Sequence, residues 1–150
     1  MDIAEKETGY TPLMHAVTND QKYDIVKLLI ENKANVNHKA ASDGCTPLIV
    51  ATQYSTTYTI VELLIKNGSN VNATDNKGRT ALSYACNHAA SSTSYAIIKS
   101  LLEHGALVNS KTTTLAELLT LAKQSNVNFK NSDNDYYNKI ISILNKYNTK

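Results

Sequence analysis

Cysteine, charge of either sign in excess, and long apolar runs are all scarce in this chain of 150 residues. Each shortage excludes a class of protein. With only Cys45 and Cys86, at unrelated positions, no framework of bridges is available, and both are expected as reduced thiols. A net charge of +2, with the basic residues scattered and no basic stripe, argues against a nucleic-acid or membrane partner. No apolar stretch reaches the roughly 18 residues of a membrane-spanning helix. The first residues, Met1-Asp2-Ile3-Ala4-Glu5-Lys6-Glu7, are acidic and polar where a secretory leader would be basic and then apolar. A soluble, cytoplasmic protein is the expectation. Delivery into a host-cell cytoplasm by a route that ignores such leaders would leave no trace here.

Reactive motifs are equally scarce. There is no G-x-S-x-G, no H-E-x-x-H, and no cysteine–histidine pair with an orienting third group. Cys86 and His88 stand two apart, but structural zinc needs four ligands, and Cys86 fills a small core position after Ala85. Asn131, Asp133 and Asp135 have the opening rhythm of a calcium loop, yet Tyr136 stands where the loop needs glycine and Ser142 where it needs glutamate. Gly78-Arg79-Thr80 lacks the lysine of a phosphate loop. No catalytic residue, metal site or cofactor is expected. Asn67-Gly68-Ser69 and Asn72-Ala73-Thr74 match the glycosylation sequon and are expected to be unmodified without a secretory leader.

What is present is repetition. Asp43-Gly44-Cys45-Thr46-Pro47-Leu48 opens a segment that passes through Ile60-Val61-Glu62-Leu63-Leu64-Ile65 and closes on Gly68-Ser69-Asn70-Val71-Asn72. Thr46 reads as a helix N-cap and Pro47 as the first helical residue, where its missing N–H costs nothing. The apolar block reads as a second short amphipathic helix, which Gly68 ends. Upstream, Gly9-Tyr10-Thr11-Pro12-Leu13, Ile25-Val26-Lys27-Leu28-Leu29-Ile30 and Ala34-Asn35-Val36-Asn37 repeat the pattern. Downstream, Gly78-Arg79-Thr80-Ala81-Leu82, Ile97-Ile98-Lys99-Ser100-Leu101-Leu102 and Gly105-Ala106-Leu107-Val108-Asn109 repeat it again. The capping threonines Thr11, Thr46 and Thr80 are 35 and 34 residues apart. That period is one helical-pair repeat, which must stack on its copies to bury its apolar faces.

On these motifs the chain resembles an ankyrin-repeat protein from about residue 5 to 147. The resemblance implies an all-α solenoid of stacked helix-turn-helix units with β-hairpin fingers, a single domain over 1–150 with repeats at about 5–37, 38–72, 73–109 and 110–147. The first repeat is expected to start on half a hairpin, with either no dedicated cap or one that this sequence lacks. The first linker, His38 to Asp43, carries one residue more than the second, Ala73 to Lys77. The third repeat carries three extra residues between its helices, expected as an exposed loop within Asn87 to Ser94, and Ala81 replaces its proline. In the fourth, Leu115, Leu118, Leu119 and Ala122 form the first helix, and the finger is truncated, with four steps from Asn109 to Thr113 against eight from Asn72 to Thr80. A polar connection, Lys123 to Asn138, then leads to a capping helix around Ile140, where Asn145 takes an apolar residue's place. Lys33 stands where Gly68 and Gly105 end their helices, so a left-handed backbone is expected at a residue bearing a Cβ.

The resemblance also implies function: a non-catalytic module, acting as adaptor, scaffold or inhibitor, that binds another protein through a concave groove. The chain is expected to be monomeric. Carried over by position, the groove would include Tyr10, Thr18, Asn19, Asp43, Cys45, Gln53, Tyr54, Asn76, Lys77, Arg79, Asn87 and His88, with Tyr10, Tyr54 and Arg79 as anchors because Tyr and Arg dominate interface hot spots. Tyr54 and Arg79 are expected to be replaceable without loss of stability. Asn37, Asn72 and Asn109 fall where repeats of this family are hydroxylated in animal cells; hydrogen bonding within the hairpins accounts for them without an enzyme. The alternative function is an ankyrin module of a larger enzyme or a pathogen or viral effector, with the activity encoded elsewhere.

Overall fold

The computed structural model describes residues 3–54, 57–89, 91–111, 113–128 and 135–148; Ala90 of the insert and Asn131 and Asp133 of the calcium rhythm lie outside them. Among the described residues the chain forms α1 (Pro12–Ala16), α2 (Tyr23–Glu31), α3 (Pro47–Gln53), α4 (Tyr58–Lys66), α5 (Ala81–Asn87), α6 (Ser92–Glu103), α7 (Leu115–Asn128) and α8 (Asp135–Asn148). The odd-numbered helices pack on one another in sequence, and the even-numbered helices form a second layer behind them. The apolar stripes of both layers meet between them in one core, in which Leu13, Leu48, Ile60, Leu64, Leu82, Ile98, Leu101 and Leu118 are buried.

The threonines start the first-layer helices as expected. Thr11, Thr46 and Thr80 each accept a hydrogen bond at 3.3 Å from the amide three residues on, with Pro12 and Pro47 in the first turn. In α5 the proline's absence is offset by a second bond: Ser83 Oγ accepts from the Thr80 amide at 3.0 Å and completes a capping box. Lys33 has φ 65°, alongside 86° at Gly68 and 88° at Gly105. All three end their helices alike, with Lys33 N donating to Ile30 O and Ala34 N to Leu29 O, as Gly68 and Ser69 do to Ile65 and Leu64.

Four expectations change. The fingers contain no β-strand among the described residues, only an isolated bridge between Thr74 and Thr80. Each is a tight turn closed by a backbone bond, from Glu5 N to Tyr10 O, Ala40 N to Cys45 O, Asp75 N to Arg79 O and Ser110 N to Thr113 O, and in the first three the finger glycine, Gly9, Gly44 or Gly78, donates back to Glu5, Ala40 or Asp75 O. So short a span leaves no arms for a ladder to run along. Glu5 to Tyr10 closes like the others, so the first repeat has a whole finger instead of half. The insert in the third repeat is not merely an exposed loop: α6 has 12 residues where α4 has 9, so the three extra residues appear as an added turn. Ser91 caps that turn, and Ala89 and Ser94 are buried beside it. Lastly, Lys123 to Asn128 belongs to α7, whose 14 residues extend into the stretch read as a connection.

The expected capping helix is α8, which buries Ile140 and Leu144 and leaves Asn145 exposed. At the other end of the stack, Ile25 is 51% exposed, whereas its equivalents Ile60 and Ile97 are 0% and 3% exposed. The same helical register is thus core in two repeats and surface in the first.

Candidate concave binding face

The fingers stack through their backbones. Ser42 N donates to Thr8 O at 3.0 Å and Asn76 N to Asp43 O at 2.8 Å. Glycine is required where they meet, since a Cβ on Gly9 (φ 76°) would lie 2.5 Å from Ala41 N. The first link is reinforced by side chains, the Tyr10 hydroxyl donating to Asp43 Oδ2 at 2.8 Å while Asp43 Oδ1 accepts from Cys45 N. Burial, with the neighbouring Asp43 carboxylate, pushes the Tyr10 phenol above its ordinary range. Tyr10 is therefore half-buried and committed to the fold.

Cys45 does not belong to the face. It is 2% exposed, in the core, because its side chain turns inward just before the Thr46 cap, and a partner cannot touch it. Burial, then Asp43, pushes its thiol up to about 12, and burial alone pushes Cys86 up to about 12. Neither thiol is a ready nucleophile at neutral pH. No group of three or more His, Cys, Asp or Glu among the described residues is placed to hold a metal ion, and none of their helices is long and apolar enough to cross a membrane.

Asp75, which sequence reading passed over, organises the third finger. Its carboxylate is buried; Oδ1 accepts from the amides of Lys77 and Arg79 at 2.8 and 2.9 Å, and Oδ2 from Arg79 Nε and the Tyr84 hydroxyl at 2.9 Å each. The Arg79 guanidinium also lies 4.6 Å from the Tyr84 ring centre. Burial alone would raise the Asp75 carboxyl, but these bonds from Arg79, Tyr84 and Lys77 outweigh it and hold the group below its ordinary range. Arg79 is thus a clamp as well as a surface group. The only sequence signal was the Asp75–Arg79 spacing across one finger.

The remaining candidates lie at both ends of the first-layer helices. Asn76 and Lys77 are exposed on the third finger, while Thr18, Asn19, Gln53, Tyr54, Asn87 and His88 follow or end α1, α3 and α5. Asn19 caps the turn before α2 by accepting from Gln21 N. Tyr54 is 58% exposed. Arg79 and Asn87 border one small cavity with Ser83 and Leu121, whereas His88 borders another with Thr52 and Thr57, so the set does not converge on a single pocket. A larger groove of about 490 Å³ runs between the third finger and α7, with Lys77, Arg79 and Ser83 on one wall and Ala116, Thr120 and Leu121 on the other. The α7 residues were missed because the fourth repeat's shortened finger hid their alignment with the other repeats.

The terminal asparagines of the repeats join one repeat to the next. Asn37 Nδ2 donates to Gly68 O and its Oδ1 accepts from Asn70 N; Asn72 does the same with Gly105 O and Leu107 N. Asn109 donates to the Asn148 side chain and accepts from Leu115 N. These bonds cross between repeats and are not confined to one hairpin.

No curated protein matches the chain. The family described as ankyrin repeats, in three copies, matches residues 13–112. Two thirds of the sequence lie in that match, and the capped first-layer helices, left-handed helix ends and stacked fingers recur through it; the chain belongs to the ankyrin-repeat family.

Proposed function

We propose that this chain is a non-catalytic interaction module whose concave face binds a partner protein, acting as adaptor, scaffold or inhibitor. Ankyrin repeats are in general protein–protein interaction modules. The observation that carries the reading here is the open groove of about 490 Å³ beside the third finger, on a face that also leaves Asn76, Lys77 and Asn87 exposed. Tyr54, large, exposed and outside the core, is the anchor best separated from folding.

Affinity capture from the native cell, read by mass spectrometry, tests this. Tyr54→Ala should weaken the captured partner's binding by about 1–3 kcal/mol and leave thermal unfolding unchanged. Full binding by that variant removes Tyr54 from the site. Arg79→Ala is a poor probe, contrary to the expectation from sequence, because it also strips the buried Asp75 carboxylate of its cation and should lower the unfolding temperature.

A further inference from the structure

Thr8, Asp43 and Lys77 hold the same position, each just before a finger glycine: Gly9, Gly44 and Gly78. The carbonyls of Thr8 and Asp43 each accept a backbone N–H from the following finger. The equivalent carbonyl of Lys77 receives none among the described residues, because the fourth finger closes over only Ser110 to Thr113 and stops short. The same shortening leaves the groove open beside it. Charges in that groove are unevenly matched. Arg79 is paired with Asp75, and the Glu117 carboxylate accepts from the Thr114 amide and hydroxyl, whereas the Lys77 ammonium has no carboxylate partner among the described residues.

We infer that this open finger edge receives an extended segment of the partner protein, lying where a full fourth finger would lie. One backbone N–H of the segment donates to the Lys77 carbonyl, an apolar side chain rests against Ala116 and Leu121, and a carboxylate meets the Lys77 ammonium. Addition of an extended segment to an exposed edge takes its affinity from main-chain bonds and its specificity from flanking pockets, and all three elements are present. The inference rests on the protein-binding reading and assigns it a place and a chemistry.

Short random peptides displayed on phage and selected against the full chain provide the probe. The selected peptides should combine an acidic and an apolar residue. In fluorescence anisotropy, N-methylation of one backbone amide of the best peptide should weaken binding about tenfold while its neighbours tolerate it, as loss of a single main-chain bond requires. Lys77→Glu should also weaken it. Lengthening the Asn109–Thr113 connection by the four residues it lacks relative to Asn72–Thr80 should abolish binding without lowering the unfolding temperature. If the lengthened chain does not fold, the N-methyl scan and Lys77→Glu decide alone. Failure to select any peptide, or binding indifferent to every N-methylation and to Lys77→Glu, overturns the inference. A captured partner lost with Tyr54→Ala but indifferent to Lys77→Glu and to the lengthened connection overturns it while leaving the broader concave-face reading intact.

Discussion

Single residues decide two features of this chain, and both are open to direct measurement. Lys33 holds a left-handed backbone that glycine adopts at the equivalent positions, where a Cβ would meet no atom within 4 Å. The cost there is one of backbone conformation and not of collision. Lys33→Gly should therefore raise the urea midpoint slightly, by no more than about 1 kcal/mol, since relief of the strain is partly cancelled by the freedom glycine gains when unfolded. A clear loss of stability would show that the lysine does more than tolerate the turn. Asp75 is the second case. Its folded pKa is depressed, so its contribution is fully present above the unfolded-state value and disappears as the pH falls through the lower folded value. Glu62, lowered chiefly by the Ser100 hydroxyl bonding its carboxylate, is lost over the same acidic interval. Denaturant titrations below the ordinary carboxylate range should show Asp75→Asn losing less stability on acidification than the parent, with the residual slope left to Glu62 and other carboxylates. Equal slopes would discard Asp75 as an acid-sensitive clamp.

At the level of elements, the contrast between α5 and its neighbours isolates two ways of starting the same helix. α1 and α3 begin with proline, while α5 has alanine and a Ser83 that answers the Thr80 cap. Ser83→Ala should cost about 1 kcal/mol by removing that reply. Ala81→Pro should gain about 0.5 kcal/mol, because Thr80 already has an extended backbone compatible with a following proline. Thermal unfolding of both variants distinguishes the two devices, and a destabilising proline would mean that the site cannot hold its ring. Helices of this kind were readable from sequence because their signals are local: a threonine cap, an apolar block, a residue forced to positive φ. The added turn of α6 was not, since Ser91 to Ser94 are small polar residues that suit a loop and a capped helix equally well. Nor was the burial of Cys45, which depends on how the finger turns before the cap, or the role of Asp75, whose partners converge only once the finger has closed.

Across the whole molecule, cohesion is handed from one repeat to the next. Asn72 ties its own repeat to the carbonyl of Gly105 and the amide of Leu107, and these bonds sit at the surface, away from the apolar core. Asn72→Ala should cost about 1–2 kcal/mol in denaturant unfolding, with faster amide exchange at Leu107 as its local signature. Unchanged exchange there would make the link incidental. The last asparagine departs from the series: Asn109 accepts from the Leu115 amide at the start of α7 and donates to the Asn148 side chain at the end of α8, instead of bonding the backbone after a following helix end. A stack braced only between neighbours behaves as a one-dimensional chain of coupled units, so it frays first where adjoining repeats share least. That is the first boundary, where α1 and α2 pack less extensively on α3 and α4 than α5 packs on α7. Fraying should begin there, with α1 and α2 parting from a still-folded array, while a ligand bridging the third finger and α7 would brace the opposite end.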